Sequence, residues 1–200
     1  MVYKKHLFKL FLTLLFSFIF LQNSYAISPS EFVQSTVNEA SAILGNNDTK
    51  KGKVDKLKSI AKKTVDITGI GYYSLGSHRK ILSEIQKKEY LVIFEKYFLK
   101  SFASRLAEYT NPKIEVISEK KLNEKYTMVS SVLIASDEKP KIKINWRINT
   151  KNLDNLLIID VVIEGVSLAK VQKEEFNSII QSNDGNIKAL FLSLKEFSKE

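Results

Sequence analysis

The spacing of apolar residues changes from a helical period to a strand period and back again along this chain. Ser28-Pro29-Ser30-Glu31 has the form of a helix start, with Ser28 as N-cap, Pro29 in the first turn and Glu31 placed for a capping box. Phe32, Val33, Val37, Ala40, Ile43 and Leu44 then follow helical spacing. The stretch "GNNDTKKGK" (45–53) breaks the pattern as a loop, and Val54, Leu57, Ile60 and Ala61 give a second amphipathic helix. "VDITGIGYYSLG" (65–76) reads as a short connecting element closed by Gly76 at a C-terminal cap. Ser83-x-x-Gln86 is a second capping-box pattern and opens the longest helix, over about 84–110. Phe94, Phe98, Phe102 and Leu106 fall at strict four-residue steps there, with Ile85, Leu91, Tyr97 and Tyr109 beside them, and Pro112 ends the run.

Four strands follow. "KIEVISEKKL" (113–122) is the first and "KYTMVSSVLIAS" (125–136) the second. "KIKINWRIN" (141–149) alternates cleanly, with Ile142, Ile144, Trp146 and Ile148 on one face and Lys141, Lys143, Asn145 and Arg147 on the other. "NLLIIDVVIE" (155–164) is apolar on both faces and is expected to be central. Short connections make an antiparallel meander the natural topology. Two helices close the chain: one holds Val171, Phe176, Ile179 and Ile180, and the other starts near Asp184 and holds Ile187, Leu190, Phe191, Leu194 and Phe197. Helices, then strands, then helices imply an α+β domain.

The N-terminus alters how the rest is counted. Lys4, Lys5 and Lys9 precede the apolar run "LFLTLLFSFIFL" (10–21), and Ser24-Tyr25-Ala26 resembles a cleavage site. Residues 1–26 are therefore expected to be a secretory signal peptide, and 27–200 a single domain. The apolar run is shorter than the roughly 20 residues of a membrane anchor. Cysteine is absent, so the stability must come from the core, and no lipid-modified cysteine can anchor the chain. Taking those three lysines from the 31 basic residues leaves 28 against 22 acidic, a net charge of +6. That excess suits contact with anionic lipid head groups and equally a lysine-rich solvated surface. Without a dense arginine cluster in an exported chain, nucleic acid is not an expected partner.

Candidate chemistry is sparse. The histidines are His6, within the leader, and His78, beside Arg79 and Lys80 and expected at the surface. Nucleophile–base arrangements and zinc sites need more histidine or cysteine than this. Gly69-Ile70-Gly71 is a bare G-x-G and reads as a turn. Asp160 and Glu164 share one strand face but stand about 13 Å apart along it. Paired glycosidase carboxylates sit about 5–10 Å apart. Asp160 interrupts an apolar strand and needs a partner, with cross-strand Arg147 or a lysine the natural one. Glu164 ends the strand, Gly165 permits a turn and Ser167 helps start the next helix.

The run "NWRI…DVVIEGVSLAKVQKEEFNSIIQSNDG" (145–185, with a gap) resembles the MlaC family, also described as the toluene-tolerance family. "VDI" (65–67), "LG" (75–76) and "QKKEY" (86–90) extend the resemblance. The family often has tryptophan shortly after L-G and before the fourth strand, where this chain has Ser77-His78-Arg79 and Leu156-Leu157. The resemblance implies an NTF2/cystatin-like domain, with a four-stranded antiparallel sheet and several helices around an apolar cavity. It implies no enzymatic activity and no cofactor. The cargo would be a phospholipid, shuttled in the periplasm between an outer-membrane lipoprotein complex and an inner-membrane ABC transporter complex, maintaining outer-membrane lipid asymmetry. On that basis the lipid lining is expected from Phe94, Phe98, Phe102 and Leu106 on the long helix and from Ile144, Trp146 and Ile148 on the third strand. Val162, Val166 and Leu168 would contribute near the strand end. Lys170, Lys173 and the Lys141–Lys143 face are candidate docking positions. Two other readings stay open: an exported NTF2-like ligand-binding domain or enzyme using Asp160, Glu164 and Tyr109, and a solid-cored structural adaptor for an ABC transporter.

Overall fold

The computed structural model describes residues 27–110, 112–134 and 141–199. The expected leader (1–26) and the last two residues of the expected second strand lie outside them. Helix α1 (Pro29–Gly45) starts as the sequence dictates: Ser28 Oγ accepts from the Glu31 amide while Glu31 reaches back to the Ser28 amide. Its apolar face, Val33 and Val37, is fully buried against the sheet. Gln34 tethers it further, donating to the Ile114 carbonyl at 3.2 Å and accepting from the Val116 amide at 2.9 Å. Helix α2 (Lys50–Thr64) is capped by Thr49 and buries Leu57, Ile60 and Ala61.

The G-x-G segment is helical, not a turn. Asp66 caps α3 (Ile67–Ser74) by accepting from the Gly69 amide at 2.8 Å. Gly71 lies in the closest approach of α3 to the long helix α4 (Glu84–Leu106): a Cβ there would sit 2.8 Å from the Phe94 ring. The same contact brings the Tyr90 hydroxyl to the Gly71 carbonyl at 3.0 Å. Burial pushes the Tyr90 phenol far above its ordinary pKa, so it remains the donor. Between the two helices lies a short 3-10 helix (Gly76–Lys80), with Gly76 left-handed at φ +55°. Its His78 is half-buried and bonded to Asn177 at 3.1 Å, more enclosed than the flanking charges suggest. Helix α4 carries the expected Ser83–Gln86 capping box but stops at Leu106, six residues before Pro112. Its end tightens into three-residue bonds from Glu108 to Arg105 and from Tyr109 to Leu106.

The sheet has five strands in the order β1 (Lys113–Asn123), β2 (Tyr126–Ile134), β3 (Ile142–Asn149), β4 (Leu157–Ile163) and β5 (Val166–Ser167), all antiparallel. Four strands were expected; the fifth is a two-residue return. Glu164 and Gly165 both have positive φ, +48° and +85°, the signature of a two-residue primed hairpin turn. β4 is not central. Among the described residues, what lies beyond it is β5 and a parallel bridge, Val65 to Ile158. Its two apolar faces are accounted for by helix α5 (Leu168–Gln181), which packs along it, and by contacts from α2 and α3. Helix α6 (Ile187–Ser198) begins at an Asn186 cap, slightly later than the Asp184 expectation.

The buried Asp160 carboxylate joins these parts. It accepts from Arg147 on β3 at 3.1 Å, from the Ser167 hydroxyl at 2.7 Å and from the Ala169 amide in the first turn of α5 at 3.0 Å. Ser167 also caps α5 by accepting from the Lys170 amide.

Three stability outcomes are expected. Gly71→Ala forces a methyl into the Phe94 ring and is expected to cost about 1–3 kcal/mol in urea unfolding. Asp160→Ala strands the Ala169 amide and is expected to cost about 2 kcal/mol. Arg147→Ala is expected to cost less, since its side chain is 44% exposed against 6% for Asp160.

Candidate functional site

The buried side chains described here form three clusters. One joins α3, α4, α5 and α6 around Tyr90, Ile93, Phe94, Phe176, Ile180 and Leu190. The second joins α1 to the sheet around Val33, Val129, Ile148 and Ile158. The third joins α1, α2 and the end of α4 around Leu44, Leu57 and Ala103. The long helix makes its extended contacts with α2, α3 and α6, whereas the sheet makes its main ones with α1 and α5. The aromatic stripe of α4 and the apolar face of β3 therefore belong to different packing units.

The stripe is a continuous ladder of rings. Tyr90 to Phe94 is 5.7 Å between centroids, Phe94 to Phe98 is 5.9 Å, and Phe98 to Phe102 is 5.8 Å with the planes only 7° apart. Tyr90 extends the expected stripe by one N-terminal step; its place four residues before Phe94 was the available signal. The environment changes along the ladder. Phe94 is fully buried, with Tyr97 and an edge-on Phe176 around it. Phe98 is half-buried against the same cluster, and Phe102 and Leu106 are half-buried against the third.

On the sheet, Ile144, Trp146 and Ile148 fall to one side as the alternation requires. Cross-strand partners on that face are Ser131 and Ile163 for Ile144, and Val129 and Val161 for Trp146. Ile148 is fully enclosed in the α1–sheet cluster, and Trp146 lies half-buried against it. The Trp146 indole donates to Ser131 Oγ at 2.8 Å, and Ser131 donates to the Ile144 carbonyl at 3.2 Å. Ser131 is completely buried, so this pair fixes the indole on the apolar face without leaving a polar atom unsatisfied. Ser131 was not singled out from the sequence, because a serine within a strand carries no signal of its partner.

The remaining expected lining residues scatter. Val162 pairs with Asn145 and Ser167, and so lies on the face opposite Ile144 and Trp146. Val166, on β5, and Leu168, in the first turn of α5, are both exposed. The polar candidates do not converge either. Asp160 is occupied as described, the Glu164 carboxylate accepts from the Lys143 amide, and Tyr109 is exposed beyond the end of α4. Among the described residues no group of three or more histidines or carboxylates is placed to hold a metal ion. No described helix is long and apolar enough to cross a membrane. A surface cleft of about 580 Å³ lies where α2 ends and α3 begins, with Lys62, Lys63, Asp66 and Glu95 around an apolar floor that includes Leu91 and Leu157. Lys62 and Glu95 are paired across it at 3.0 Å.

Comparison with known proteins gives this arrangement a context. None of the curated proteins matches the chain by sequence. Among solved structures, the fold is similar to a phospholipid-binding protein from Ralstonia solanacearum, determined in complex with a phospholipid. The TM-score is 0.70 and the identity 18%, over 86% of this chain and 97% of that one. The family model described as MlaC protein matches residues 34–196, from the first turns of α1 almost to the end of α6, and the chain belongs to the MlaC family.

Proposed function

We propose that this chain is a carrier of phospholipid, exported by cleavage after residue 26, that shuttles its cargo across the periplasm between outer- and inner-membrane complexes. The observation that carries this reading is the separation of the α4 ladder and the β3 face into different packing units, in an MlaC-family chain whose fold is similar to that of a phospholipid-bound protein. A domain of this size ordinarily closes its apolar surfaces into one contiguous core. Two apolar surfaces with separate supports suit a guest of hydrocarbon.

The physical need is plain. Exposing an acyl chain to water costs about 0.8 kcal/mol per CH₂, so a free diacyl lipid does not cross an aqueous gap at a useful rate. The carrier has to supply dry walls and break no bond. Phe98, Phe102 and Leu106 on one side and Ile144 and Trp146 on the other are the residues best suited to touch the tails. Phe94 and Ile148 are already enclosed by protein neighbours and stiffen the walls from behind. Maintenance of lipid asymmetry in the outer membrane follows from such shuttling.

Organic extraction of the exported protein, followed by mass spectrometry, is expected to release phospholipid. Incubation with labelled donor vesicles is expected to reload it. Protein that neither carries nor exchanges lipid would overturn the carrier reading and favour a solid-cored adaptor. Phe98→Glu, which puts a charge among the expected tails, is expected to lower loading several-fold while the far-ultraviolet dichroism stays native. Unchanged loading would remove Phe98 from the lining.

A further inference from the structure

The most exposed large apolar side chains lie together at the start of α4. Ile81 is 72% exposed and Ile85 is 81% exposed, while Leu82 between them is buried and pins the turn to the core. Ser83 and Gln86 cap the helix reciprocally, so the two isoleucines stand on a fixed scaffold. Leu192 is 66% exposed on α6, and two contacts hold α6 against the first half of α4: the Tyr90 and Phe191 rings at 5.6 Å, and the Glu89–Lys195 ion pair at 2.8 Å. Lys188, Leu192 and Lys195 share one face of α6 at i, i+4 and i+7.

The charges around these side chains have one dominant sign. Arg79, Lys80, Lys88 and Lys188 are exposed, and among the described residues none of them is paired with a carboxylate. The acids on this stretch of α4 are already matched, Glu84 with Lys87 at 2.7 Å and Glu89 with Lys195. Rigid exposed isoleucines ringed by unmatched cations have the chemistry of an interfacial anchor. The apolar tips enter the acyl boundary while the cations meet phosphate, and long basic side chains can reach outward to do so.

We propose that the surface formed by Ile81, Ile85 and Leu192 with Arg79, Lys80, Lys88 and Lys188 docks the protein on an anionic phospholipid bilayer. The carrier reading gives this docking its purpose, but the surface stands on its own exposure and charge. None of its residues belongs to the expected tail lining.

Protein purified after export is to be co-sedimented with vesicles of phosphatidylcholine alone and of phosphatidylcholine mixed with phosphatidylglycerol. Binding is expected on the mixed vesicles only, and to weaken as salt is raised. The double variant Ile81→Ser, Ile85→Ser is expected to bind about tenfold more weakly. Lys80→Glu with Lys88→Glu is expected to lose the preference for the anionic vesicles. Both variants are expected to retain the wild-type content of extractable phospholipid, which separates failure of docking from failure of the carrier reading. Equal sedimentation of wild type and the isoleucine variant would overturn the proposal. So would equal binding to neutral and anionic vesicles, or no binding to vesicles alongside binding of the patch to a protein partner.

Discussion

The Asp160 carboxylate is the interaction on which the rest of the arrangement turns. A buried charge is tolerated only if its lone pairs are met, and here a guanidinium, a hydroxyl and a helix-terminal amide meet them. Each donor comes from a different element: β3, β5 and α5. The charge also lies at the positive end of the α5 dipole, which favours it further. Because α5 carries Phe176 to the edge of the Phe94 ring, this one side chain sets the position of the helical layer relative to the sheet. An acid that looked like a candidate for chemistry is a joint.

The aromatic ladder has a corresponding role on the other side. Its N-terminal half is locked by contact too close for any side chain at Gly71 and by the Tyr90 hydroxyl on the Gly71 carbonyl. Its C-terminal half is held from behind by α2 and leaves the Phe98 and Phe102 rings half-exposed. One helix is therefore fully enclosed at one end and leaves its rings half-exposed at the other. The strict four-residue repeat is the same throughout, so periodicity alone carries no mark of the change.

Much of the fold was legible in the sequence. The capping boxes at Ser28 and Ser83 formed as written, because a cap depends on residues three apart and little else. The alternation of β3 held for the same local reason, and Arg147 met Asp160 because a buried acid has few alternatives. What escaped depended on distant neighbours. Gly69-Ile70-Gly71 looked like a turn until the ring of Phe94 supplied a reason for a glycine inside a helix. β4 looked central because apolar residues on both faces record only that something covers them, and a helix covers as well as a strand does. β5 is too short for any period, although Glu164-Gly165 between two valine-bearing segments was a hairpin signal. Most of the expected lining residues fall on two stripes, one on α4 and one on β3. Val162 falls on the other face by the alternation of β4 itself, and the hairpin at Glu164-Gly165 turns the chain before Val166 and Leu168.

Gln34 has a consequence for the company this chain keeps. Its amide donates to one backbone group of β1 and accepts from another two residues on, the pair of bonds that an incoming strand would offer. A single side chain thus imitates a peptide unit and terminates the sheet at its first strand. For a chain without disulfides, that amide leaves an incoming strand no free backbone partner at Ile114 and Val116 on this half of the edge.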